Sequence, residues 1–364
     1  MSRLRLGVVG VGHLGKEHAR ILSGMADVEL VGVADANASQ AELIAQRCNT
    51  RAFQDHRALL PLVDAAVVAT PTVHHHAVAS DFLARGVPVL VEKPLASTLH
   101  QAEDLVALAA RHGVVLQVGH IERFNPAFEE LSRRPLRPKL FTCERYSGFS
   151  GRSTDIGVVL DMMIHDLDLV LSLVRAPVRT VDALGVSVLG GHEDLAQARV
   201  TFADGCVANF SASRVHPASV RRMQAWGAEG FAAVDFAKRH VTLTQPAAHL
   251  REDRRRSQPA DAAALASYKA ELFTRHLQTL EVDCAGGDQL TAELRDFVRC
   301  VRSGATPRVA GTAGRDAIAL ASLILDRLRA HQWEGDAAGP AGPWDLPAPL
   351  GALFVGGDER AAAA

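Results

Sequence analysis

The sequence predicts an α/β protein in two parts. A parallel sheet wrapped by helices comes first, and an α/β domain with a largely antiparallel open sheet follows. Three observations predict it. Residues 4–35 read strand, G-x-G-x-x-G, helix, strand, acid. Short apolar strands and helical stretches then alternate as far as Val118, the pattern of a parallel sheet with right-handed crossovers. From Val181 onward the pattern changes to closely spaced strand signals, with Asp204-Gly205 as a hairpin turn. A length of 364 residues accommodates two domains. The expected boundaries are 1–122 for a dinucleotide-binding domain, 123–333 for a substrate and oligomerisation domain, and 334–364 for a tail rich in Gly, Ala and Pro.

The opening strand, with Leu4, Leu6, Val8 and Val9, runs directly into Gly10-Val11-Gly12-His13-Leu14-Gly15. Gly10 allows the tight turn, Gly12 lets a pyrophosphate approach the backbone, and Gly15 lets helix and strand pack closely. The first N–H groups of the following helix then face the phosphates. This is the Rossmann fingerprint, and Gly10, Gly12, His13, Leu14 and Gly15 are its candidate cofactor contacts. The second strand, Val28 to Val33, ends beside Asp35, 20 residues past Gly15. A carboxylate there accepts hydrogen bonds from ribose hydroxyls and repels a 2′-phosphate. Ala36 and Asn37 supply no compensating positive charge, so the expected cofactor is NAD rather than NADP. A bare glycine-rich turn in another α/β protein is the competing reading; the flanking strands, helix and acid weigh against it.

Further elements follow in order. A helix is expected over Ser39 to Gln46, a weak strand near Thr50 to Phe53, and a short helix over Asp55 to Leu62. A buried strand, Ala65 to Ala69, ends in Thr70-Pro71-Thr72, at the carboxyl edge where open α/β sheets bind ligands. His74 to Arg85 is helical. Val89 to Val91 is a strand ending in Glu92-Lys93-Pro94. Leu99 to His112 is a helix and Val114 to Val118 a strand. Lys93, just past a buried strand and held extended by Pro94, is placed to bind a hydroxyl and stabilise negative charge. Taken alone, it reads equally well as a solvated lysine. The run His74-His75-His76 lacks a companion Cys or Asp at a convincing metal spacing.

In the second part, Asn125-Pro126 starts a helix reaching Leu131, with Asn as cap and Pro in the first turn. Lys139 to Tyr146 is a strand, and Tyr146 to Arg152 a Ser/Gly-rich loop. Val158 to Leu173 reads as one helix. Its spacings i, i+4 and i+7 put Asp161, His165 and Asp168 on one face of an otherwise apolar segment. Such groups need partners or water. Histidine is the natural acid/base near neutral pH, and a neighbouring carboxylate orients it. A metal at Asp161 and His165 and a satisfied polar patch are the competing readings; no metal is expected. Strands follow at Val181–Val188, Ala196–Phe202, Val207–Ala212, Arg221–Ala225, Phe231–Phe236 and Val241–Leu243. Residues 246–268 read as a linker, with the mixed charges of Arg251 to Arg256 as a solvated loop. Tyr268 to Val282 reads as one strand or as two short elements. Leu290 to Arg302 and Ala313 to Ala330 are helices.

Composition narrows the function classes. Hydrophobic residues make up 48% and charged residues 22%, enough for an ordinary globular core. A formal charge of −2 gives no electrostatic footprint for nucleic acid. Five scattered cysteines without a C-x-x-C pair suit a reduced compartment, and no apolar run is long enough to span a membrane. With the first strand beginning at Leu4, no signal peptide is expected, so the expected location is the cytoplasm.

The chain resembles the Gfo/Idh/MocA oxidoreductases over roughly residues 3 to 332. The resemblance rests on the Gly10–Gly15 loop, Ala69-Thr70-Pro71-Thr72-Val73-His74-His75, Glu92-Lys93-Pro94 and Asp161-x-x-x-His165-x-x-Asp168. It implies a nicotinamide-dependent oxidation or reduction of a sugar, cyclitol or related alcohol, and a homo-oligomer (dimer or tetramer) formed through the open sheet. It assigns Lys93 to hydroxyl binding and proton handling, His165 to acid/base catalysis and Asp161 to substrate binding. Thr70, Pro71, His75 and Glu92 then line the cofactor cleft. Two departures stand out: of the glycine-rich stretch before the catalytic helix only Gly157 is present, and Met163 stands where many members have glycine. The stretch Gly119-His120-Ile121-Glu122-Arg123-Phe124-Asn125-Pro126 resembles the subgroup acting on nucleotide sugars, including UDP-N-acetylglucosamine 3-dehydrogenases. The stretch Met163-Ile164-His165-Asp166-Leu167-Asp168 points the same way. Arg123, Asn125 and Asp168 are then candidate substrate contacts, and Arg123 reads equally well as a partner of Glu122 or Asp161. A free-sugar or inositol dehydrogenase, and a non-catalytic NAD- or sugar-binding regulator, are the alternatives.

Overall fold

The computed structural model describes residues 2–149, 151, 156–252, 261–336 and 339–343. The chain divides into two compact units, neither of which is one continuous stretch. The first contains 1–124, 167–172 and 287–323; the second contains 125–166, 173–286 and 324–364.

The first unit holds six strands: β1 (Leu4–Val9), β2 (Val28–Ala34), β3 (Arg51–Phe53), β4 (Ala65–Val68), β5 (Val89–Glu92) and β6 (Leu116–Gly119). All neighbours are parallel, in the order β3-β2-β1-β4-β5-β6. β4 and β5 are buried along their whole length, as strands covered on both faces must be, which explains their continuous Ala/Val/Leu composition. Helices α1 (Gly15–Ser23), α2 (Ala38–Cys48), α3 (Thr72–Leu83) and α4 (Leu99–His112) make the crossovers. Asn37 and Thr98 cap α2 and α4 with side-chain oxygens, whereas no side chain caps α1. The order reverses between β1 and β4, the switch point at which such sheets bind ligands. The helix expected over Asp55 to Leu62 is reduced to one 3-10 turn, His56–Ala58, capped by Asp55.

The second unit begins with α5 (Pro126–Ser132), capped by Asn125 as its sequence requires. Its sheet contains β7 (Leu140–Tyr146), β8 (Val178–Val186), β9 (Leu195–Phe202), β10 (Val207–Ser213), β11 (Val220–Gly227), β12 (Gly230–Asp235), β13 (His240–Pro246) and β14 (Leu277–Asp283). The order is β14-β13-β12-β11-β7-β10-β9-β8, antiparallel throughout except for β7 with β10. Alternate residues of β7, β9 and β10 are buried, so one face is packed. On the sheet, Thr142, Glu144, Tyr146, Arg199 and Asn209 help line a groove of about 760 Å³.

Three expectations need correction here. The helix read as Val158 to Leu173 begins with a π turn, Val159–Met163, and becomes α-helical only as α6 (Ile164–Leu173). The supposed linker carries α7 (Ala248–Glu252) and α8 (Ala262–Ala270). Tyr268 to Val282 is neither of the expected arrangements: the end of α8, a π turn over Leu272–His276 and β14 occupy it. Of the charged run, residues 253–256 lie outside the described residues.

The chain then returns to the first unit with α9 (Gln289–Ser303) and the start of α10 (Gly311–Ala330). Leu290, Leu294, Phe297 and Val298 of α9 join Leu6, Val8, Ala19, Leu22 and Leu30 in one apolar core. Two short strands, β15 (Trp333–Asp336) and β16 (Gly339–Ala341), follow. Among the described residues, no helix is long and apolar enough to cross a membrane.

Candidate functional site

The glycine loop sits at the switch point and each glycine has a distinct constraint. Gly10 has φ +79°, and a Cβ there would lie 2.6 Å from the Thr70 nitrogen. At Gly15 a Cβ would lie 1.8 Å from the Gly10 carbonyl oxygen, so only glycine lets α1 start this close to the turn. At Gly12 a Cβ would meet nothing within 4 Å. That space, beside the uncapped start of α1, is where a pyrophosphate fits against backbone N–H groups. His13 and Leu14 are exposed beside it.

Asp35 is tied into the same loop. Its carboxylate accepts from the Val11 nitrogen at 2.8 Å and the Asn37 nitrogen at 2.9 Å. Gln40 donates to the Val11 carbonyl at 2.7 Å. The acid is therefore held at a fixed point next to the phosphate space, half-buried and able to accept further bonds from a ribose. These residues fit a dinucleotide.

Thr70 and Pro71 follow β4, and buried His75 on α3 links two neighbouring loops. Its Nδ1 lies 2.8 Å from the Pro94 carbonyl and its Nε2 lies 2.8 Å from the Thr70 carbonyl. A neutral imidazole can donate to only one of these oxygens. His75 thus braces the loops that carry Thr70 and Lys93. Lys93 is half-buried, and the Lys93–Pro94 peptide is cis. Its backbone nitrogen donates to Glu92 Oε2 at 3.2 Å. Glu92 also lies 2.7 Å from His18 Nε2.

Two further groups sit in this unit. Arg123 donates to Asp168 at 2.8 Å, with the Asp168 carboxylate almost fully enclosed. Buried His120 belongs to the same electrostatic neighbourhood. Burial pushes its imidazole below the ordinary 6.5, Asp168 opposes that, and Arg123 and Lys93 reinforce it. His120 lies between Gly119 and Arg123 and carries no site signal of its own in the sequence. Asn125 accepts from the Ala127 nitrogen at 3.0 Å and donates to the Phe236 carbonyl at 3.2 Å, bonds that serve the helix start and the sheet of the second unit.

In the second unit, Asp161 and His165 are half-buried. The expectation of one polar helical face through Asp161, His165 and Asp168 assumed a continuous α-helix. Asp161 lies in the π turn, whose wider winding replaces the first turn of the expected α-helix. Asp168 is buried against Arg123, and Asp166 is buried against Arg145 at 2.8 Å. Glu193, also missed from sequence, starts this helix. Its Oε1 accepts from the Val159 nitrogen at 3.1 Å, and its backbone carbonyl accepts from the Val158 nitrogen at 3.0 Å. A Cβ on Gly157 would lie 2.0 Å from Glu193 Oε1, so the retained glycine makes room for this cap.

Comparison with known proteins places this geometry in a family. Residues 4–120 match the model described as "Oxidoreductase family, NAD-binding Rossmann fold", and residues 132–233 match the "GFO/IDH/MocA C-terminal domain". A UDP-N-acetylglucosamine 3-dehydrogenase from Acidithiobacillus ferrooxidans is 35% identical over 325 residues, covering 89% of this chain and 97% of that protein. Its solved structure aligns with a TM-score of 0.79 at 34% identity, covering 91% of this chain and 99% of that one. A scyllo-inositol 2-dehydrogenase (NAD(+)) from Bacillus subtilis is 26% identical, covering 84% and 89%. The chain belongs to the Gfo/Idh/MocA oxidoreductase family, built on an NAD-binding Rossmann fold.

Proposed function

We propose that the chain is an NAD-dependent dehydrogenase, or in reverse a reductase, acting on C3 of a nucleotide sugar of the UDP-N-acetylglucosamine type. The observation that carries this reading is the near full-length similarity to the UDP-N-acetylglucosamine 3-dehydrogenase. The Asp35 carboxylate, fixed against the loop by Val11 and Asn37, supports NAD over NADP. Bound NAD supplies a hydride acceptor. His165 takes the hydroxyl proton, while Lys93 holds the hydroxyl oxygen and stabilises its developing charge. Asp161 orients the sugar beside His165. Arg123 and Asp168 enter as a neutral pair and contribute hydrogen bonds rather than net charge.

The test is reduced-nicotinamide absorbance with UDP-N-acetylglucosamine, free N-acetylglucosamine and inositols. Turnover of the nucleotide sugar with the highest kcat/KM is expected. Turnover of a free polyol alone would favour the second reading, a polyol dehydrogenase, for which the inositol-dehydrogenase relative speaks. Tight NAD binding with no turnover of any alcohol or ketone would favour a regulatory protein. We also propose that the chain works as a homo-oligomer; light scattering that finds a monomer at assay concentration would remove that part.

A further inference from the structure

Three ionisable side chains converge inside the first unit: His18 on α1, Glu92 at the end of β5 and Glu293 on α9. They are 0%, 7% and 0% exposed. One nitrogen or oxygen from each lies within 4.8 Å of the other two. His18 Nε2 and Glu92 Oε1 are 2.7 Å apart. Among the described residues, neither carboxylate oxygen of Glu293 has a hydrogen-bond partner, and neither does His18 Nδ1. Gln117 on β6 closes the site, donating its amide to the Glu293 backbone carbonyl at 3.1 Å and leaving its own oxygen unpartnered. Gly119 makes the space: a Cβ there would stand 2.8 Å from Glu92 Oε2.

Two carboxylates and one imidazole cannot all ionise in such an enclosure without a net negative charge, which is expensive to bury. Either a proton or a divalent cation restores balance. A tetrahedral ion holding ligands at about 2.0–2.1 Å would keep them roughly 3.3 Å apart. The 2.7 Å contact between His18 and Glu92 is instead that of a charge-assisted hydrogen bond.

We propose that Glu293 is a protonated, neutral acid, that it completes a buried unit with the hydrogen-bonded His18 and Glu92, and that it thereby acts as a positioning residue for Lys93. The link to Lys93 is the bond from its backbone nitrogen to Glu92. This last part rests on the proton-handling role proposed for Lys93. The surrounding charges agree. Burial pushes the Glu293 carboxyl well above the ordinary 4.5, and Glu92 and Asp296 add to this. Burial also raises Glu92, but His18 and Lys93 outweigh it and hold that carboxyl low. His120 also senses Glu92.

Infrared difference spectroscopy on the intact protein, wild type against Glu293→Gln, tests the proton near neutral pH. A protonated-carboxyl band present only in the wild type is expected. Thermal unfolding adds a second readout. A carboxyl raised on folding binds a proton that the unfolded chain releases, so wild-type Tm should fall relative to Glu293→Gln as pH rises above 4.5. In kinetics, Glu293→Gln should keep the wild-type kcat, because a neutral amide replaces a neutral acid. Glu293→Leu, whose branched side chain no longer matches the acid in shape beside His18 and Glu92, should lose up to roughly 10²-fold in kcat through a misplaced Lys93. Absence of the band, a flat Tm difference, or a stoichiometric divalent ion in the purified protein would overturn the proposal. If no sugar is turned over at all, the dehydrogenase reading falls while the band and the Tm difference still decide the proton.

Discussion

The loop at Gly10–Gly15 and the segment from Gly157 to Asp168 carry their functions in opposite ways. The loop works through backbone and through the side chains it lacks: Gly12 faces open space and Gly15 admits no Cβ at all. The helical segment carries acidic side chains held by partners distant in the chain. Asp166 is matched by Arg145, Asp168 by Arg123, and the first turn by Glu193. A backbone device is written locally in the chain, whereas a charge device is defined only once its counter-charge arrives.

The largest effect that would sharpen this contrast falls on the side chains proposed to handle the proton. Lys93→Met and His165→Ala should each lower kcat/KM by about 10²–10⁴-fold, the usual cost of removing a proton-transfer group. NAD affinity, set by the loop, should barely change. Steady-state kinetics and NAD titration on the folded variants decide it, and near-wild-type turnover in either removes that residue from the chemistry.

Next comes the buried pairing itself. The side chains of Arg145 and Asp166 are only 5% and 3% exposed. Arg145→Met leaves Asp166 uncompensated and should cost about 3–5 kcal/mol of stability. Adding Asp166→Leu should recover much of that loss in denaturant titrations. A double variant as unstable as the single one would show that arginine packing, not charge, dominates.

The loop glycines predict a smaller and divided response. Gly15→Ala forces a shift at Gly10 and should destabilise the unliganded protein by about 1–3 kcal/mol. Gly12→Ala should leave its Tm almost unchanged yet weaken NAD binding, since its Cβ would enter the phosphate space. Equal Tm losses in both would break the distinction. Comparable in size is Asp35→Ala, which should reduce the preference for NAD over NADP by about 1.5–3 kcal/mol, the worth of a charged hydrogen bond. The ratio of kcat/KM values for the two cofactors measures it; a wild-type preference for NADP would sink the assignment.

The same contrast explains how much was legible beforehand. The parallel sheet, the glycine loop and most of the antiparallel strands follow from periodicity and turn residues, which are local. α4 matches its expected span, Leu99 to His112, because Thr98 and Gly113 mark its ends. The π turn did not show, since Val159 to Met163 has the same apolar pattern either way and the cap from Glu193 comes from 34 residues on. The sequence carries no site signal at His120, Glu193 and Glu293 for a related reason. Each is a polar residue whose burial depends on a surface supplied by another part of the chain.

The return of α9 to the first sheet has a consequence for how the protein is made. A ribosome delivers residues 1–124 well before Leu290, Leu294, Phe297 and Val298, yet those side chains complete the core around Leu6, Val8 and Leu22. The nucleotide half therefore waits, with an apolar strip of α1 uncovered, until most of the second unit has been synthesised. A chain cut at the apparent boundary near residue 122 would keep that strip permanently exposed. Harvesting this half as an independent fragment calls for α9 to be joined back to it.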